Sequence, residues 1–101
     1  MTKIKKDYKI DDIITFVKSY NSDKIDLISS SYQYTSKLLD KEKLQDIINV
    51  SYILTTLEAD SETISANILS YLLSNNLVKR SELEKKFEFN IIKLASNINK
   101  L

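Results

Sequence analysis

Carboxylates, ammonium groups and one guanidinium are the strongest chemical groups this chain offers, because it contains no histidine, cysteine, glycine or proline. Asp11-Asp12 and Glu82/Glu84 are carboxylate pairs of the kind that flank a scissile glycosidic bond. Adjacent or capping positions on short helices make solvated faces instead, so neither pair is assigned a catalytic role. Lys79-Arg80 and Lys85-Lys86 are the densest basic positions and suit a phosphate backbone. Tyr32 and Tyr34 have rings that can stack on a purine, yet an aromatic beside a helical apolar stripe is more often half-buried, with its hydroxyl reaching solvent.

What is missing bounds the chemistry further. Without cysteine there are no disulfides, thiolate nucleophiles or Cys-ligated metal centres. Without histidine the side chain best suited to proton transfer near neutral pH is gone. Without glycine no Gly-rich phosphate loop can form, and turns must rest on Asn, Asp and Ser. Fifteen basic and fourteen acidic residues leave a net charge of +1, so no global field recruits nucleic acid or an anionic membrane. The charged N-terminus does not read as a signal peptide, and no apolar run approaches the roughly 20 residues of a membrane span. A cytoplasmic protein with no membrane contact is expected, and no cofactor.

The 101 residues leave room for one domain, and their 43% hydrophobic and 29% charged content is that of a folded globule. Apolar residues recur at steps of three and four, with no sustained alternation, which predicts an all-α bundle of about six helices. Ile10, Ile13, Ile14 and Val17 mark a first helix over 10–20, and Asn21-Ser22-Asp23 offers caps for the next. Ile25, Ile28, Tyr32, Thr35 and Leu39 predict the second stripe. After the charged Asp40-Lys41-Glu42-Lys43 segment, Leu44, Ile47, Val50, Leu54 and Leu57 predict the third.

Asp60 or Ser61 caps a fourth helix carrying Ile64, Ile68, Leu69, Leu72 and Leu73, which Asn75-Asn76 can end in a left-handed conformation. Ser81-Glu82-Leu83-Glu84 fits a capping box opening a fifth helix through Phe87. Asn90 caps a sixth, whose stripe is Ile91, Leu94, Ile98 and Leu101.

The order of residues also carries a resemblance. Ile10-Asp-Asp-Ile-Ile-Thr-Phe-Val-Lys-Ser-Tyr-Asn21, then Ile25-Asp-Leu-Ile28 and Ser31-Tyr-Gln-Tyr34, resemble the N-terminus of the RelA/SpoT family, which makes and degrades the alarmone ppGpp. Asp60-Ser-Glu-Thr63, Ile68-Leu69, Leu83-Glu84, Phe87 and Asn99-Lys100-Leu101 continue it over nearly the whole chain. The resemblance implies that residues 1–101 form a hydrolase domain of HD type, with a short N-terminal helix over 10–20 and a helical core over 24–101.

It also implies a lost site. Where the family has its His-Asp pair this chain has Ser70-Tyr71, the following Glu-Asp is replaced by Ser74-Asn75, and an earlier ligand histidine aligns near Asp46. The basic loop before that histidine is shortened to about 40–45. Asp46, Ser70, Tyr71, Ser74 and Asn75 are therefore the expected vestigial pocket positions. Such a set offers too little charge and too few strong oxygen ligands to hold Mn²⁺ or Mg²⁺ for metal-assisted hydrolysis.

The resulting expectation is a non-enzymatic pseudo-hydrolase that regulates or scaffolds an alarmone synthetase, in cis or in trans, in the stringent response. Self-association is left open. A metal-free guanine-nucleotide sensor is one alternative. Another is a helix-turn-helix over 81–87, 88–90 and 91–101, in which Lys93, Ser96, Asn97 and Asn99 or Lys100 would meet DNA. Glu82, Glu84 and Glu88 would oppose that contact, and nucleic acid is not the expected partner.

Overall fold

In the computed structural model, which describes residues 7–98, six helices follow one another without a strand among those residues: α1 (Ile10–Tyr20), α2 (Asp26–Ser36), α3 (Lys41–Thr56), α4 (Ser61–Ser74), α5 (Arg80–Glu84) and α6 (Phe89–Ile98). The predicted all-α bundle of about six helices is what the chain forms. Leu101 and the Asn99-Lys100 pair, placed in the sixth stripe and the possible DNA contact, lie outside the described residues.

The helices start where side chains satisfy the free amides of the first turn. The Asp40 carboxylate accepts from the Lys43 N–H at 2.9 Å and Asp60 from the Thr63 N–H at 2.8 Å, opening α3 and α4. The charged segment after Asp40 is therefore the first turn of α3, and no separate spacer. At α2 the expected caps do not act. Asn21 Oδ1 instead accepts from the Asp23 N–H at 2.9 Å, an Asx turn, and a hydrogen-bonded turn through Lys24 leads into the helix at Ile25.

α5 starts earlier than its Ser81 motif predicts. Glu82 accepts from the Lys79 N–H at 3.1 Å, so Lys79 is the cap position and Ser81 lies inside the first turn. The helix closes at Glu84, short of Phe87. α6 likewise starts ahead of Asn90: the Glu88 carbonyl accepts from the Ile91 and Ile92 N–H groups, which frees the Asn90 side chain for a tertiary contact.

With no glycine to turn on, three of the described residues take positive φ: Lys24 at 56°, Glu58 at 58° and Asn76 at 55°. Glu58 and Asn76 close α3 and α4 in the same way. After α3 the Ala59 N–H reaches the Leu54 carbonyl at 3.1 Å and the Glu58 N–H reaches Thr55 at 3.0 Å. After α4 the Leu77 N–H reaches Leu72 at 2.9 Å and the Asn76 N–H reaches Leu73 at 3.2 Å. Both are Schellman ends.

α4 is the central element and supplies two apolar layers. Ile64 and Ile68 pack with Ile13, Val17, Ile28, Ile47 and Ile48 from α1, α2 and α3. Ala66, Leu69 and Leu72 pack with Leu83, Phe87, Ile91, Ile92 and Ala95 from the α5–α6 half. Each fully buried Ile or Leu contributes roughly 1.5–3 kcal/mol. Glu62 ties the layers at one end, its Oε2 accepting from Lys24 Nζ at 2.9 Å and from Asn90 Nδ2 at 3.1 Å. The starts of α4 and α6 therefore lie together, and α5 with its flanking loops carries the chain back between them.

Two predicted stripes are corrected. On α3 the buried positions are Leu44, Ile47, Ile48, Ser51 and Thr55, while Val50 is 45% and Leu57 73% exposed. On α6 Ile91, Ile92 and Ala95 are buried and Leu94 is exposed. Size decides this: α3 and α4 meet through Ser51, whose hydroxyl donates to the Ile47 carbonyl at 3.0 Å and accepts from Asn67 Nδ2 at 3.3 Å. A larger side chain there would hold the helices apart. The buried Thr35, Ser61 and Ser65 hydroxyls find no partner and each carries a desolvation cost.

Candidate functional site

α3 and α4 run antiparallel, since Ser51 meets Asn67 while Lys43, near the start of α3, meets Tyr71, near the end of α4. This brings Asp46 and Tyr71 into one neighbourhood. Lys43 lies between them, its Nζ 3.8 Å from the Asp46 carboxylate and 4.9 Å from the centre of the Tyr71 ring. The Asp46–Lys43 pair is a surface ion pair of the i,i+3 type, worth well under about 1 kcal/mol. Lys43 was not among the predicted pocket positions; its signal is the three-residue step to Asp46.

The other predicted positions are occupied with their own helix. Ser70 is buried and donates to the Asn67 carbonyl at 2.8 Å. Ser74 donates to the Tyr71 carbonyl at 3.2 Å, and Asn75 Nδ2 reaches that same carbonyl at 3.0 Å and Ser74 Oγ at 3.1 Å. Both lie exposed at the end of α4. Asp46, Tyr71, Ser74 and Asn75 thus sit at the end of the α3–α4 pair, with Ser70 beneath the surface. Among the described residues no group of three or more Asp and Glu side chains could hold a metal ion.

The two tyrosines singled out for stacking are core-edge residues. Tyr34 packs edge-on against Phe87 with ring centres 5.8 Å apart, and burial, then the charge of Glu82, pushes its hydroxyl pKa up. Tyr32 is half-buried beside the α1–α4 layer. Another aromatic group joins α1, the residues just before it and α3, where Tyr8 stacks on Tyr52 at 4.0 Å and Phe16 meets both edge-on.

The basic positions after α4 border a groove of about 580 Å³ between the end of α4, the start of α5 and α6. Leu73 and Val78 supply apolar wall, and Asn76, Lys79, Arg80 and Ser96 supply donors. Arg80 is held on three sides: Nε to Glu84 at 3.3 Å, Nη1 to Ser96 Oγ at 2.9 Å, and its guanidinium carbon 5.7 Å from the centre of the Phe89 ring. Lys79-Arg80 was legible as a basic pair. That Ser96 comes to meet it follows only from the packing of α6 on α4.

In the helix-turn-helix arrangement, α5 has five residues, and Ser96, a proposed base reader, is engaged by Arg80. Lys93 is the one basic side chain on α6 among the described residues. No helix among them is long and apolar enough to cross a membrane. No protein-family model, curated protein or solved structure matches this chain.

Proposed function

We propose that this domain is a hydrolase-type helical module of RelA/SpoT ancestry that acts without chemistry of its own, regulating or scaffolding an alarmone synthetase in the same polypeptide or in trans. The observation that carries the proposal is that Asp46 on α3 and Tyr71 on α4 both lie against Lys43. The resemblance assigns both to one ancestral pocket although they are far apart in sequence, and Lys43 stands 3.8 Å from that carboxylate. A side-chain ammonium beside the pocket's one carboxylate opposes a divalent cation. Regulation needs the shape of the helical frame, which α4 and its two apolar layers supply. It also needs a surface to bury, and Val50 and Ile53 on α3 and Leu57 at its C-cap are 45%, 56% and 73% exposed.

The test is to add the purified domain to an alarmone synthetase and follow ppGpp formation from GTP and ATP. A change in rate of about fivefold or more, removed by Ile53→Glu, is expected from a typical coupling free energy. No binding and no change in rate would end the regulatory part. Release of pyrophosphate from ppGpp in Mn²⁺, lost on Asp46→Ala, would end the non-catalytic part.

A further inference from the structure

We infer that the groove between the end of α4, the start of α5 and α6 is a binding site for a small organic phosphate, a phosphate group carried on an apolar body. The inference stands independently of the regulatory role proposed above. The charge of the lining is its starting point. Lys79 and Arg80 stand in the lining with no Asp or Glu, and the nearest carboxylates, Glu84 on Arg80 Nε and Glu82 on the Lys79 N–H, lie outside it. Three other grooves differ: the one beside Phe87 is lined by Lys24 and Lys86 but also Asp26 and Glu88, the one at Asn21 by three acidic residues, and the one beside Tyr34 by Glu82 as well as two lysines. An anion in this groove therefore meets two basic side chains and no carboxylate in its lining, unlike in those three.

The second support is the preparation of Arg80. Its Nε and one Nη1 hydrogen are committed to Glu84 and Ser96, and Phe89 covers its face. Those contacts fix the plane of the guanidinium and leave the Nη2 edge unused. A fork already held in place loses less entropy on gripping an oxyanion than a free side chain does. Glu84, itself 46% exposed, orients the guanidinium without cancelling it, since a solvated pair at the surface is strongly screened.

The remaining donors set the class of ligand. Lys79 brings an ammonium, Asn76 an amide, and Ser96 a hydroxyl whose proton is not used by the Arg80 contact. Together with Arg80 these offer more donors than a carboxylate can accept, and a phosphate monoester with three terminal oxygens matches them better. Leu73 and Val78 give an apolar wall for the rest of the molecule, and 580 Å³ is the size of a small-molecule site.

The test is an NMR titration of the whole ¹⁵N-labelled chain with phenyl phosphate at low ionic strength, with phenol, inorganic phosphate and benzoate as comparisons. Saturable shifts at the amides of Asn76, Lys79, Arg80 and Ser96 are expected, with a Kd on the order of 1 mM. Phenyl phosphate should bind more tightly than any of the other three. Arg80→Gln and Lys79→Gln should each weaken it by about tenfold, and Lys37→Gln should not. Lys79 makes no side-chain contact that holds the fold, so its variant reports even if loss of the Arg80–Ser96 bond disturbs α6. Non-saturating shifts spread over the lysines, equal binding of inorganic phosphate, or indifference to both variants would overturn the inference.

Discussion

α3 and α4 lie side by side, and α3 leaves part of its apolar surface exposed where α4 buries nearly all of its own. α4 buries Ile64, Ile68, Leu69 and Leu72 completely, facing one layer of core on each side. α3 buries Leu44, Ile47 and Ile48 on one side together with Ser51 and Thr55, and leaves Val50 and Ile53, with Leu57 at its C-cap, exposed. A helix surrounded by others must be apolar around most of its circumference. Where a helix packs at close range, as α3 does at Ser51, small residues must stand at the contact. Hydrophobicity therefore reports on folding in α4, and on something other than folding at Val50 and Ile53 of α3.

The sharpest way to break this comparison is to truncate one apolar residue on each helix. Leu69→Ala should lower the unfolding free energy in urea by about 3 kcal/mol, because the side chain is fully buried and its loss leaves a cavity. Ile53→Ala should change it by no more than about 0.5 kcal/mol, as for exposed substitutions generally. Equal losses would mean that Ile53 is part of the core after all.

A smaller effect tests whether size governs the contact. Ser51→Val adds bulk where α3 and α4 meet and removes the acceptor used by Asn67, with Ser51 fully buried. It should cost about 2 kcal/mol by overpacking, even though the new residue is more apolar. A gain in thermal stability would show that the polar residue, and no steric limit, was the weak point.

The two helices also end alike with different residues, and that difference is testable. Glu58 and Asn76 both take φ near 55–58° in their Schellman turns. Asn tolerates this conformation better than a residue with a long side chain, because its short amide hydrogen-bonds locally. Glu58→Gly should therefore raise stability by about 0.5 kcal/mol after the entropy of an added glycine is counted, and Asn76→Gly by less. Denaturant midpoints of the two variants give the ordering directly.

The helices were legible because a core-facing stripe and a cap are local signals: Asp60 with Thr63 reads the same in sequence and in structure, as does the Asn76 turn. The inward faces of α3 and α6 were not, because the choice between Val50 and Ser51, or Leu94 and Ala95, depends on how closely a neighbour approaches. The caps at Lys79 and Glu88 were missed for a related reason. Ser81 and Asn90 are good cap residues, but the tertiary path set the helix starts earlier. Of the candidate positions, Asp46 and Tyr71 needed only the antiparallel pairing of α3 and α4 to share a neighbourhood. Lys43 between them, and Ser96 against Arg80, needed side-chain geometry that no spacing rule contains.

The loop joining α3 to α4 supplies an effect at neutral pH and a distinct one in alkali. Tyr20 donates its hydroxyl to the Ala59 carbonyl at 2.6 Å, and burial, then the charges of Glu58 and Asp60, push its pKa above the ordinary tyrosine value near 10. Because the folded value is the higher one, the neutral phenol contributes stability that is complete below pH 10. That contribution is lost as the pH rises through the folded value. Tyr8, Tyr34 and Lys24 are shifted the same way, so the whole protein should weaken in this range. Tyr20→Phe should lower stability at pH 7 by about 1 kcal/mol through the lost hydrogen bond and make its further fall above pH 10 shallower than in the parent chain. Parallel curves for the two proteins across pH 9–12 would show that the phenol does not hold the α3–α4 loop to α1.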